Sequence, residues 1–258
     1  MKKLLCASVL VLLPLAARAE PAPASAPRVL TTEAAATGFD TLALEIGVGE
    51  VHVTASSDDK VHARVTLRRK EREFMWFFHW VAGGTSEEIA AATIQQKLSG
   101  DRLTLSLSYP HSSGGDDMKQ EWDVQLPARL KLDADMQVGD LSIEGVAGGV
   151  SVKLNVGELA LDLPKGSIQA EVNVGEIRAK SGSAQHGHIS LSSNIGDAML
   201  VMEGAESGYH EHGGLGSRVS MDGKGPDDMK FIINIGEVTL HLTPQDAGKA
   251  GAKDGVGK

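Results

Sequence analysis

Four histidines in the second half of the chain form two His-X-His pairs. The residues are His186, His188, His210 and His212. Residues two apart in a β-strand face the same side, so each pair places two imidazoles together. Two such pairs could supply four nitrogen ligands to zinc or copper. The alternative is solvated histidines on polar strands and loops. The first pair lies ten and eight residues before Gly196 and the second six and four residues before Gly216, so the pairs would not stack directly, which favours that alternative.

A second chemical feature is a row of acids, each directly after a repeated glycine. Its members are Asp140, Glu158, Glu176, Asp197 and Glu237, and Glu50 follows Gly49 in the same way. Stacked carboxylates could collect calcium, or could resemble the site of a carbohydrate-active enzyme built on Glu158 and Glu176. The alternative is a solvated row that the repeat itself explains. No Gly-X-Ser-X-Gly, His-Glu-X-X-His or phosphate-binding glycine motif occurs. The sequence therefore predicts a noncatalytic protein without a cofactor.

These side chains belong to a repeat of Val or Ile, then Gly, then Asp or Glu. The repeated glycines are Gly49, Gly139, Gly157, Gly175, Gly196 and Gly236. From Gly139 the steps are 18, 18, 21 and 40 residues, and Gly216 divides the longest step into two of 20. Self-similarity at this spacing is typical of solenoids. We therefore expect an all-β fold, a single-stranded β-helix (β-solenoid) with rungs of about 18–21 residues.

Apolar and polar residues alternate around each glycine. Around Gly157 the apolar positions are Val152, Leu154 and Val156 before it and Leu159, Leu161 and Leu163 after it. This pattern predicts two short strands joined at a glycine bend, with all six residues in the core. Asparagines two places before the glycines would hydrogen-bond up the stack, and Gln137 could extend the row. They are Asn155, Asn173, Asn194 and Asn234.

The chain between Gly49 and Gly139 does not fit the repeat. It predicts a strand over Val61–Leu67, a hairpin of Thr93–Leu98 with Arg102–Tyr109, and a strand over Glu121–Leu126. An aromatic insertion at about 68–92 separates the first strand from the hairpin. It holds half of all Phe, Trp and Tyr residues in the chain, namely Phe74, Trp76, Phe77, Phe78 and Trp80. We expect either a cap on the open end of the solenoid or a loop that binds a partner or a membrane interface.

The chain resembles the putative-adhesin family of bacterial β-strand-repeat proteins, also called Toastrack domains. The resemblance rests on Trp122-Asp123-Val124-Gln125-Leu126-Pro127, on Met136-Gln137-Val138-Gly139-Asp140-Leu141, and on the repeats through Leu242. It implies a right-handed β-helix-like domain that is exported or lies at the envelope. It implies no common chemistry.

The two ends of the chain predict where the protein is located. Residues 1–19 have the basic start, apolar run and small-residue cleavage site of a secretory signal peptide. A Pro/Ala-rich linker at 20–38, a solenoid domain at 39–243 and a flexible tail at 244–258 would follow. Loss of Lys2, Lys3 and Arg18 changes the formal net charge from −9 to −12, which argues against binding nucleic acid.

We therefore expect an exported interaction or scaffold module that contacts an envelope protein, a glycan or a membrane interface. The periplasm is its simplest location for a Gram-negative source, and secretion or the cell surface is the alternative.

Overall fold

The computed structural model describes residues 27–69, 91–109, 118–182, 186–202, 209–211 and 216–243. Within these ranges the fold is all-β, as predicted, and fourteen strands join one sheet. The strands are β1 Arg28–Ala35, β2 Thr41–Ser56, β3 Lys60–Arg69, β4 Thr93–Ser99, β5 Arg102–Ser108, β6 Met118–Pro127, β7 Lys131–Glu144, β8 Val150–Leu163, β9 Ile168–Gly182, β10 His186–Ile195, β11 Ala198–Met202, β12 Tyr209–Glu211, β13 Ser217–Asp222 and β14 Asp227–Thr243.

The repeat forms a parallel, in-register stack. Its order is β2, β7, β8, β9, β14 and β10, so the last strand along the chain lies between β9 and β10. Gly236 pairs with Gly175, and Ile235 also pairs with Ile195. Phe231 lies beside Ala170, where a large side chain meets a small one, and both are buried. The stacking therefore departs from chain order beyond Gly175.

Each long strand changes the face that it buries at its glycine. In β8, Val152 and Leu154 are buried before Gly157, and Leu159, Leu161 and Leu163 are buried after it. The distance from Leu154 to Leu159 is odd, so the alternation shifts by one residue at the bend. Val156 consequently points outward with 40% of its surface exposed. The prediction that Val156 lies in the core is wrong, and the same holds for its equivalents Val138, Val174, Ile195 and Ile235.

The N-terminal strands extend the sheet at one end of the stack, next to β2. The predicted strand, hairpin and final strand are confirmed as β3, β4 with β5, and β6, although the observed bounds differ slightly. The strand β5 pairs with the first half of β2, and β6 pairs with its second half. Residues 28–35 fall in the predicted linker but form β1, which pairs antiparallel with β3. The sheet therefore begins before Phe39.

At the other end of the stack, the added strands run antiparallel to their partners. The strand β13 runs antiparallel to β10, and β12 runs antiparallel to β11. Gly216 directly precedes β13 and does not occupy a corner of the parallel stack. The expectation that Gly216 marks a further rung is therefore wrong. Gly216 does lie 20 residues from Gly196 and from Gly236, but the strand that follows it runs antiparallel to the stack.

Candidate functional site

The most regular surface in the described residues is the line of strand bends, which we call the corner strip. Three outward positions repeat in it: the residue two places before the glycine, the residue one place before it and the residue after it. The middle column is aliphatic and is between 37% and 48% exposed. It consists of Val138, Val156, Val174, Ile235 and Ile195, in spatial order. At about 4.8 Å per strand the column extends for roughly 19 Å.

The first column of the corner strip is the predicted asparagine ladder. The Asn173 amide donates to the Asn155 side-chain oxygen at 3.0 Å, and the Asn234 amide donates to Asn173 at 2.8 Å. The Asn194 amide donates to Asn234 at 2.6 Å. The backbone pairing of neighbouring strands skips this position. The side-chain amides thus bridge strands where the backbone ladder is interrupted. Gln137 donates instead to Asp135, at 3.3 Å.

The third column is the predicted row of acids, and basic side chains compensate part of it. Arg178 contacts Glu158 at 3.1 Å and Glu176 at 2.5 Å. Lys119 donates to Glu50 at 2.6 Å. This hydrogen bond, with the charge of Lys119 as a smaller cause, lowers the pKa of the Glu50 carboxyl below its usual 4.5. Glu50, Glu158 and Glu176 therefore each have a cationic partner, which offsets part of the repulsion within the column.

A groove of about 440 Å³, the central groove, lies beside the acid column on the outer face of the second strand halves. Strands β7, β8, β9 and β14 supply its lining, and their pairing places Ser142, Ala160, Arg178 and Thr239 side by side. Two residues further on, Glu144, Asp162, Lys180 and His241 form the next row. Glu176 completes the polar wall, with 29% of its side chain exposed.

A buried polar chain supports the corner where β6 meets β2. The Trp122 indole donates to the Gln120 side-chain oxygen at 3.0 Å, and the Gln120 amide donates to the Tyr109 hydroxyl at 3.2 Å. Burial raises the pKa of Tyr109 to about 12, against a lowering by Gln120. These contacts pair the polar atoms of Trp122, which is buried in the core, and of Tyr109, which packs against the core. Their role is therefore structural.

The predicted histidine pairs occupy separate parts of the sheet. The His188 Nδ1 lies 2.7 Å from the Asp222 carboxylate, and the His186 Nδ1 lies 3.2 Å from the Gly187 carbonyl oxygen. The backbone of His210 pairs with Met199 of β11, beyond the bend at Gly196. The His210 side chain and all of His212 lie outside the described residues. Across the part of the chain that is described, no group of three His, Cys, Asp or Glu residues is arranged to hold a metal. The metal site stays a prediction.

Several other expectations fall outside the described residues. They are the signal peptide at 1–19, the tail at 244–258, and the aromatic residues Phe74, Trp76, Phe77, Phe78 and Trp80. In the described ranges, no helix has the length and hydropathy needed to cross a bilayer. The aromatic insertion therefore stays a prediction, either as a cap or as a binding loop.

Sequence reasoning did not single out the central groove. Ser142, Ala160 and Arg178 are unremarkable one by one, and only their shared place three residues after a glycine connects them. Alignment of the repeats on glycine could have grouped these three with Thr239, which lies three residues after Gly236. It could not have placed Thr239 next to Arg178, because that neighbour relation depends on the pairing of β14 with β9. The groove is thus partly a product of strand order.

No protein-family model matches this sequence, and neither does any curated protein sequence. A solved structure does match, described as a putative cell adhesion protein from Clostridium sporogenes. Its TM-score is 0.53 at 15% identity, with 85% of this chain and 100% of that chain covered. The predicted resemblance to the putative-adhesin family is confirmed as a likeness of fold. A structure described as a putative adhesin from Bacteroides fragilis has a TM-score of 0.30 at 13% identity, covering 83% of this chain and 97% of that one.

Proposed function

We propose that this chain is an exported, noncatalytic adhesin-like module that binds or organises components of the cell envelope. In this proposal the parallel stack acts as a β-solenoid scaffold. The observation that carries it is the central groove, where four parallel strands present a row of acidic and basic side chains on one outer face. A rigid sheet that displays polar groups at regular spacing is suited to recognition, because little conformational entropy is lost on binding.

The arrangement of carboxylates supports a binding role over glycoside cleavage. Glu158 and Glu176 both contact the guanidinium of Arg178. Glycosidases usually place two carboxyl groups on either side of the scissile bond, one of them as a proton donor. Here the two carboxylates hold a cation between them. They orient Arg178 at the wall of the groove.

The aromatic insertion is a second proposed contact with a partner. Phe74, Trp76, Phe77, Phe78 and Trp80 follow a basic run that begins at Arg68, and such residues are common at protein interfaces and membrane surfaces. We propose that this segment adds an envelope protein or membrane contact to the binding face of the sheet. The proposed location is the periplasm, with the cell surface or secretion as alternatives.

In-cell crosslinking followed by affinity capture tests the proposed function. We expect the intact protein to capture an envelope component. If the groove face makes the contact, a variant with Arg178→Ala and Lys180→Ala should capture less of this component. A second variant, which lacks residues 74–81, tests the insertion separately. The matched control is Lys131→Ala, which removes an exposed lysine on β7. Circular dichroism should show that each variant retains its β-sheet signal.

Two outcomes would contradict this function. Failure of the intact protein to capture any envelope component would remove the interaction role. Cleavage of a glycan that is lost in the Glu158→Gln, Glu176→Gln variant would instead establish an enzyme and overturn the noncatalytic assignment.

A further inference from the structure

The floor of the central groove is made by small side chains in a row of larger ones. Ser142 of β7 and Ala160 of β8 are register partners, and the next residue in the same row is Arg178 of β9. Adjacent parallel strands are about 4.8 Å apart, so the two small residues leave a depression roughly two strands wide. The depression is a consequence of side-chain size at equivalent positions. It would be lost if either position carried a large side chain.

The walls of this depression combine hydrogen-bond acceptors and donors. Glu144 and Asp162 lie two residues beyond the floor on the same two strands. Glu176 lies on the other side, and Arg178 and Lys180 close one end. Carboxylates only accept hydrogen bonds, whereas Arg and Lys only donate them. A ligand that fits this lining must both donate and accept at several points.

The Arg178 side chain is oriented by two ion pairs in the absence of a ligand. Two carboxylates hold its guanidinium, and these belong to adjacent strands β8 and β9. A donor that is already oriented loses little rotamer freedom on binding. Nη1 and Nη2 each keep one N–H beyond the one given to Glu158 or Glu176, so the guanidinium can still donate to two neighbouring oxygens. Vicinal hydroxyl groups present such a pair of oxygens.

We propose that the central groove binds a neutral oligosaccharide. Sugar hydroxyls can donate to Glu144 and Asp162, and they can accept from Arg178 and Lys180. The C–H face of a pyranose ring fits the small floor at Ala160. The volume of about 440 Å³ lies within the roughly 300–1,000 Å³ of small-molecule sites. Three carboxylates, Glu144, Asp162 and Glu176, line the groove against Arg178 and Lys180, and this excess of acids favours a neutral glycan over a polyanionic one. This inference rests on the proposed interaction function and names the ligand class of its groove.

Calorimetry with the mature chain tests the ligand class. The probes are neutral hexose and N-acetylhexosamine oligomers, with oligouronates as the acidic comparison. We expect a neutral oligomer to bind, and Ala160→Trp to weaken that binding at least ten-fold by filling the floor. Ala160 is exposed, so the substitution should leave folding unchanged. Ser220→Trp, at an exposed position on β13, should retain full affinity.

Three results would overturn the inference. They are the absence of binding to any neutral oligomer, undiminished binding by Ala160→Trp, and binding of oligouronates alone. Envelope capture by the same two variants separates this failure from failure of the proposed function. If an envelope protein is captured but no oligosaccharide binds, the glycan site is wrong and the proposed interaction function is retained.

Discussion

Two independent constraints require glycine at the strand bends. Gly157 has a φ of +145°, a region that residues with a Cβ rarely adopt. A Cβ placed there would also overlap the carbonyl oxygen of Gly139 in the neighbouring strand. Gly49 lacks the positive φ but has the second constraint, because a Cβ would overlap the Gln120 carbonyl oxygen. The repeat of glycine thus reflects both backbone conformation and strand proximity.

Gly157→Ala should lower the free energy of unfolding by about 3 kcal/mol or more, because strained backbone and steric overlap add. The matched control is Gly47→Ala, also in a long bent strand. A Cβ at Gly47 would meet no atom within 4 Å, and we expect a change within about 0.5 kcal/mol. Urea denaturation measures both variants. Equal stability of the two would contradict the glycine argument.

The ion pair of Glu50 and Lys119 should make a small contribution to stability that depends on pH. The folded-state pKa of Glu50 is lower than 4.5, so this contribution is present above pH 4.5 and is lost as the pH falls through the lowered value. Lys119→Met should therefore cost at most about 1 kcal/mol at neutral pH, since both side chains are exposed. The difference should vanish in strong acid and in 1 M salt. Denaturation across pH 2–7 checks this, and a difference that persists in acid would refute it.

At the scale of the strand, the glycine bend decides which residues enter the core. The apolar positions around Gly157 are 152, 154 and 156 before it and 159, 161 and 163 after it, and the buried ones shift by one residue between Leu154 and Leu159. Sequence alone therefore located β8 and its glycine correctly, and it misplaced Val156. The error has a physical reason. A period of two indicates alternation within a straight strand, whereas the change of face depends on the φ of a single residue.

Val152→Ala and Val156→Ala test this change of face within one strand. Val152 is 1% exposed and Val156 is 40% exposed. The first substitution should cost about 2 kcal/mol or more through lost burial and the cavity left behind. The second should cost less than about 1 kcal/mol. Thermal or urea unfolding distinguishes them, and similar losses would show that Val156 is in the core after all.

At the scale of the whole molecule, the order of the strands creates the central groove. The strand β14 lies between β9 and β10, and it brings Thr239 and His241 to the central groove. A cysteine pair can test this order, because the only native cysteine is Cys6. Disulfides require Cα atoms within about 7 Å, a distance met by neighbouring strands but not by strands two apart.

Glu171→Cys with Ile232→Cys should form a disulfide under oxidising conditions, since these residues are register partners in β9 and β14. Glu171→Cys with Ser192→Cys should remain reduced, because Ile232 separates the two positions. Thiol titration and mass spectrometry measure the outcome. The reverse result would show that the units stack in chain order.

The sequence by itself determined the all-β class, the glycine bends, the hairpin of β4 with β5, and the asparagine ladder. Each follows from local period, from turn residues, or from identical residues at equivalent positions. Only the tertiary structure decided that Asn234 contacts Asn173 and Asn194, and that Arg178 lies beside Thr239. The repeats present nearly the same edges and core residues, so the repeat pattern alone does not distinguish one stacking partner from another. The connections and packing of the complete chain make that choice.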